Sequence, residues 1–102
     1  MRVTSRHCLI AACMMHVEGF YSIKSTAWRN RNPGNIKHRT GTFEVYDSIL
    51  QGFDALVTDI AENAGSTLQA FVAKYAPPNE NNTSLYAQTV STLTGIPLTE
   101  KI

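Results

Sequence analysis

The sequence predicts a mainly α domain of the α+β class, with a buried first helix and a small β-hairpin. Three observations predict it. An almost continuous apolar run extends from Leu9 to Val17, apolar residues recur at helical spacing in three segments after Ser48, and β-prone residues alternate within a turn-rich stretch between Gly19 and Asp47. At 102 residues the chain has the length of one domain and is too short for two hydrophobic cores. Residues 1–102 are therefore read as a single domain, expected to be a monomer.

The first helix is placed over Ser5 to Val17. Leu9, Ile10, Ala11, Ala12, Cys13, Met14, Met15 and Val17 leave it almost no polar side, and a helix apolar all round belongs inside a fold. Thr4 or Ser5 caps its start, and Gly19, directly after Glu18, stops it. Turn residues dominate from there to Asp47, with Asn32-Pro33-Gly34-Asn35 the strongest breaker. Ile36 to His38 and Thr42 to Tyr46 read as the two arms of a hairpin around Arg39-Thr40-Gly41, since Phe43 and Val45 alternate with Glu44 and Tyr46.

Ser48 with Gln51 forms a capping box. Ile49, Phe53, Leu56, Val57 and Ile60 give the helix it opens one apolar face, ending near Asn63 to Gly65. Thr67 opens another, with Leu68, Phe71, Val72 and Tyr75 on its face and Pro77-Pro78 as its stop. After the polar run Asn79 to Asn82, in which Glu80 reads as a solvated loop residue, a last helix carries Leu85, Tyr86, Val90 and Leu93 and closes with Gly95 and Pro97.

Nine basic and eight acidic side chains give a net charge of +1, far from what binding a phosphate backbone needs, so no nucleic-acid partner is expected. Arg29, Arg31, Lys37, His38 and Arg39 do cluster near Trp28, as a solvated loop or a contact for an anionic polymer. No segment approaches the ~20 apolar residues of a membrane span. Ile10-Ala11-Ala12-Cys13 has the form of a lipoprotein cleavage box, but the apolar stretch after Arg6 is too short for a signal peptide and His7 interrupts it. Cys8 and Cys13, five residues apart on a helix, point in different directions and cannot bridge, so both are read as buried free thiols of a chain made in a reducing compartment. His7, His16, His38 and the cysteines match no zinc spacing, and no glycine-rich phosphate loop is present, so neither metal nor cofactor is expected.

Glu18 is the residue richest in chemical implication, because it ends an apolar helix and precedes Gly19-Phe20-Tyr21. A carboxyl in such surroundings is partly desolvated and its pKa rises, so it can hold the proton that a glycosidic oxygen needs in order to leave. The same spacing fits a carboxylate at an exposed helix end. Asn32-Pro33-Gly34-Asn35 is either a plain turn or a rigid one presenting amides to the N-acetyl and hydroxyl groups of a sugar. Trp28, Tyr46, Tyr75 and Tyr86 offer ring faces to a pyranose, although core packing is the default for aromatics in a small domain.

Taken in order, three segments resemble one family. The run from Leu9 to Phe20 looks like the helix of lytic transglycosylases and goose-type lysozymes that ends in their essential glutamate. Ala27 to Ile36 is similar to the Asn-Asn-Pro-Gly-Asn-Ile segment of small phage-encoded and bacterial lysozyme-like domains, with Arg31 where the first Asn is usual. Tyr75 to Thr83 with Tyr86 resembles their Tyr-Ala-Pro-Pro turn and the helix after it. The resemblance implies a lysozyme-like fold and a muramidase that cuts the β-1,4 bond between N-acetylmuramic acid and N-acetylglucosamine in peptidoglycan glycan strands. It implies Glu18 as catalytic acid and base with Tyr75 and Tyr86 near it, while Asn32 and Asn35 of the turn and Tyr46 are the further candidates for binding the substrate.

A conventional glycosidase needs a second carboxylate. Glu44 and Asp47, on the expected hairpin, are the acids placed to form a cleft wall, and neither is strongly indicated. Without such a partner the implied chemistry is that of a lytic transglycosylase, in which the 6-hydroxyl of the muramoyl residue attacks and leaves an anhydro sugar; a hydrolytic product is the alternative. The rival expectation is a non-catalytic peptidoglycan-binding or structural part of a phage particle or secretion apparatus; an open cleft at Glu18 favours the enzyme, and cover of its carboxyl by Trp28 or Phe20 favours the rival. The implied enzyme is made in the bacterial cytoplasm without a clear signal peptide and acts in the periplasm or cell wall, through a holin or within a virion.

Overall fold

Thr4 starts the first helix, α1 (Ser5–Val17), by a reciprocal cap: its Oγ1 accepts from the His7 amide at 3.3 Å, and Nδ1 of His7 accepts from the Thr4 amide at 3.1 Å. The computed structural model that shows this describes residues 1–78 and 82–102, so the expectation for Glu80 lies outside the described residues. α1 spans the expected residues but is not buried all round. Ile10, Ala11, Met14 and Met15 face the core, while Leu9, Ala12 and His16 are exposed. Two neighbours, α3 (Ile49–Glu62) and α5 (Thr83–Thr94), pack against it and cover its core side alone.

Gly19 ends α1 with φ +78°, a left-handed conformation that lets the Gly19 amide donate to the His16 carbonyl at 3.1 Å and the Phe20 amide to the Met15 carbonyl at 3.0 Å. This pair of bonds satisfies the last helical carbonyls and turns Phe20 into the core. Glu18 is held between an ordered helix and a buried ring.

A single helical turn not expected from the sequence, α2 (Thr26–Arg29), follows under a Ser25 cap. The expected hairpin is corrected: the chain reverses at His38 to Gly41, but one antiparallel bridge, Lys37 to Phe43, is all that forms, and no strand occurs among the described residues. The Asn32 side chain is the cause. The Glu44 amide donates to the Ile36 carbonyl at 2.8 Å, and the return bond of that pair would run from the Ile36 amide to the Glu44 carbonyl. Asn32 takes both ends of it, accepting from the Ile36 amide at 2.9 Å and donating to the Glu44 carbonyl at 3.0 Å.

α3, α4 (Leu68–Tyr75) and α5 begin after caps at Ser48, Thr67 and Asn82. On α3 the buried face is Gly52, Leu56, Val57, Ile60 and Ala61, with Phe53 half-buried and Ile49 exposed, contrary to its apolar periodicity. Gly52 explains the rotation, since a Cβ there would lie 2.1 Å from the Arg31 carbonyl oxygen: the helix seats its bare backbone on the preceding turn. α5 buries Tyr86, Ala87 and Val90 against α1 and α4, which leaves Leu85 and Leu93, also expected on the apolar face, 58% and 51% exposed. Both cysteines are free and half-exposed rather than buried, at the border of the core face of α1. The described residues form a compact all-α globule of 33 × 30 × 25 Å, and none of their helices is long and apolar enough to cross a membrane.

Candidate active site

The end of α1 delivers the Glu18 carboxyl to the meeting point of two grooves. One, of about 510 Å³, runs past Asn35, Ile36 and Phe43 towards α3 and α4. The other, of about 400 Å³, lies between the end of α1 and the start of α5 and is lined by His16, Asn82, Leu85, Tyr86 and Thr89. Both Glu18 oxygens are engaged. The Tyr86 hydroxyl donates to Oε2 at 2.8 Å, and Nδ2 of Asn35 donates to Oε1 at 3.3 Å and to the Glu18 carbonyl at 3.4 Å. Burial pushes the Glu18 carboxyl above the usual carboxylate range, against the opposing pull of the Tyr86 and Asn35 bonds and the Lys37 charge. The carboxyl that opens to the cleft therefore keeps its proton to higher pH than an exposed glutamate would.

The turn carrying Asn35 is pinned from behind. Gly34 packs so closely that a Cβ would lie 2.5 Å from the Tyr75 hydroxyl and 2.7 Å from Leu56 Cδ1, and that hydroxyl donates to the Gly34 carbonyl. Asn35 follows with φ +50°, a left-handed conformation that asparagine adopts more readily than most residues. Contact with α3 and α4 thus fixes the amide that orients Glu18.

The expected site residues divide accordingly. Asn35, Tyr75 and Tyr86 are brought to Glu18 or to the grooves beside it. Asn32 is not: it is fully buried, its Nδ2 is spent on the carbonyls of Ile36 and Glu44, and its Oδ1 accepts from the Ile36 amide, so it is corrected from a substrate ligand to a scaffold. Tyr46 lies outside both grooves and contributes its backbone, donating to the Asn30 carbonyl at 2.9 Å and accepting from Arg31 Nε at 2.6 Å. Neither proposed second acid reaches the cleft. Glu44 pairs with His38 Nε2 at 3.0 Å, and Asp47 is exposed beside the cap of α3, its amide donating to Gln51. Trp28 packs against Phe20 with the ring planes tilted by 50° and the centroids 5.5 Å apart.

Asp59, Asn63 and Lys74 line the larger groove in their place, together with Lys37 and Phe43, whose ring lies 5.4 Å from the Lys37 ammonium. Asp59 and Asn63 are four apart on α3 and so share one side of it. That spacing was visible in the sequence, but the cleft it faces was not. No protein-family model, no characterised protein and no solved structure matches the chain. No group of three or more potential metal-ligating side chains occurs among the described residues.

Proposed function

We propose that the protein is a lysozyme-like muramidase that cleaves the β-1,4 bond between N-acetylmuramic acid and N-acetylglucosamine in peptidoglycan, with Glu18 as its acid. The observation that carries the reading is the position of Glu18, a desolvated carboxyl, in the lining of two grooves. A proton passes from Glu18 to the glycosidic oxygen as the bond from that oxygen to the anomeric carbon breaks, which spares the leaving sugar from departing as an alkoxide. Tyr86 and Asn35 hold the carboxyl in place and receive the carboxylate once the proton has gone.

Cover of the Glu18 carboxyl by Trp28 or Phe20 would have favoured the non-catalytic alternative. Those rings pack against each other at a tilt, and Phe20 is in the core, while Glu18 lines both grooves. The place of action on this reading is the cell wall, reached through a holin or within a virion. Clearing of a peptidoglycan suspension, with mass spectrometry of the released muropeptides, tests it. The wild-type chain releases disaccharide fragments and Glu18→Gln does not; intact glycan after prolonged incubation with the wild type refutes the enzyme.

A further inference from the structure

The expectation of an anhydro product rests on the lack of a second carboxylate in the cleft wall, and Asp59 removes that premise. It lines the same groove as Glu18, and the Tyr75 phenol, which lies along that groove, is under the electrostatic influence of both acids. Its surroundings are ordered: Asn63 donates to the Asp59 carbonyl at 2.8 Å and accepts from Lys74 Nζ at 3.2 Å. Yet the Asp59 carboxylate itself receives no hydrogen bond from any described residue, although it is partly desolvated. A carboxylate withdrawn from bulk water is ordinarily bonded by the protein around it, and one left open in a cleft is available to water or ligand.

We propose that Asp59 is the general base of the cleft and activates a water molecule, so that the glycosidic bond is hydrolysed rather than closed into an anhydro ring. The inference rests on the muramidase reading and decides its chemistry. Glu18 gives its proton to the leaving oxygen, and the bond from that oxygen to the anomeric carbon breaks. A water oxygen bonds to the same carbon while its proton passes to Asp59. One water is consumed, one sugar gains a reducing end, the other regains its hydroxyl, and exchange with solvent returns the proton from Asp59 to Glu18. The two acids have opposite duties, so activity requires Glu18 protonated and Asp59 ionised. Its pH profile then has an acid limb set by Asp59 and an alkaline limb set by Glu18.

Digestion of purified glycan strands in ¹⁸O-labelled water tests the proposal without any substitution. The expected product carries one ¹⁸O at a reducing muramic acid; an unlabelled 1,6-anhydro product overturns the proposal and leaves the muramidase standing. Asp59→Asn, with its fold checked by circular dichroism, is expected to lose 10²- to 10⁴-fold in rate, a range typical for a general base, and to lose the acid limb. A labelled product from the wild type with full rate and an unchanged acid limb in Asp59→Asn assigns the base elsewhere. Glycan left intact by the wild type overturns this inference and the muramidase together.

Discussion

Tyr86 and Glu18 stand 68 positions apart in the chain and share a 2.8 Å hydrogen bond in which the phenol donates to the carboxyl. Burial and the Glu18 charge push the Tyr86 hydroxyl far above its ordinary pKa, so it stays a donor through neutral pH. The bond opposes the burial that raises Glu18. Tyr86→Phe should therefore push the Glu18 pKa higher still and move the alkaline limb of the pH–rate profile upward. Loss of one such bond costs roughly 0.5–3 kcal/mol of stability, read from thermal melting. A limb that moves down would contradict the assigned direction.

Glu18→Gln separates catalysis from stability. Activity should fall 10²- to 10⁴-fold, the usual contribution of a general acid. The stability effect has a definite sign. A carboxyl whose folded pKa lies above its unfolded value, near 4.3 for an unperturbed glutamate, binds more protons in the native state, so its contribution is fully present below that pH and is lost as pH rises through the folded pKa. Melting curves of wild type and Glu18→Gln should lie closest near pH 3, and the variant should gain relative to wild type towards pH 7. A relative loss over that interval would mean that the carboxylate is stabilised, not desolvated.

Gly52 tests the seating of α3. A methyl group there would stand 2.1 Å from the Arg31 carbonyl oxygen and 2.7 Å from Pro33 Cδ, and the first of these is backbone that cannot rotate away. Gly52→Ala should cost about 1–3 kcal/mol, the usual penalty of overpacking, despite the better helix propensity of alanine. At about 4–8 °C per kcal/mol for a domain of this size, differential scanning calorimetry resolves the loss readily. An unchanged or raised melting temperature would place the turn farther from the helix.

Local chemistry made the helices legible, and tertiary contacts decided what was not. Thr67 and Ser48 begin helices because their side chains accept from amides three residues on, and Gly95 ends one in the left-handed conformation, all relations contained within a few residues of chain. Periodicity failed where a neighbour outweighed it, as at Ile49, left outside because Gly52 docks α3, and at Leu93, left outside because Tyr86 and Val90 face the core. The hairpin failed through one side chain, Asn32, whose amide looks the same in sequence whether it serves a sugar or a ladder. Glu18 stood out through the resemblance of the segment it ends, since the helix alone fits an exposed carboxylate equally well. Asp59 was not, because an acid beside Ile60 on an amphipathic helix differs from any boundary residue only once α4 and the Asn35 turn enclose it.

Asn32 and Asn35 lie three residues apart in one turn, and their substitutions should separate stability from chemistry. Asn32 is buried and bonded at every polar position, so Asn32→Ala leaves the Ile36 amide and the Glu44 carbonyl without that partner. A buried group so stranded costs about 1–3 kcal/mol and these half-buried ones up to that, so the main effect should be a lower melting temperature. Asn35 touches Glu18 instead. Asn35→Asp keeps a residue that tolerates φ +50° but replaces a donor to Oε1 by a second negative charge, and both changes favour the protonated form of Glu18. The alkaline limb of the pH–rate profile should move upward by more than in Tyr86→Phe, which removes a donor without adding a charge. A larger shift from Asn32→Ala than from Asn35→Asp would reverse the roles assigned to the two side chains.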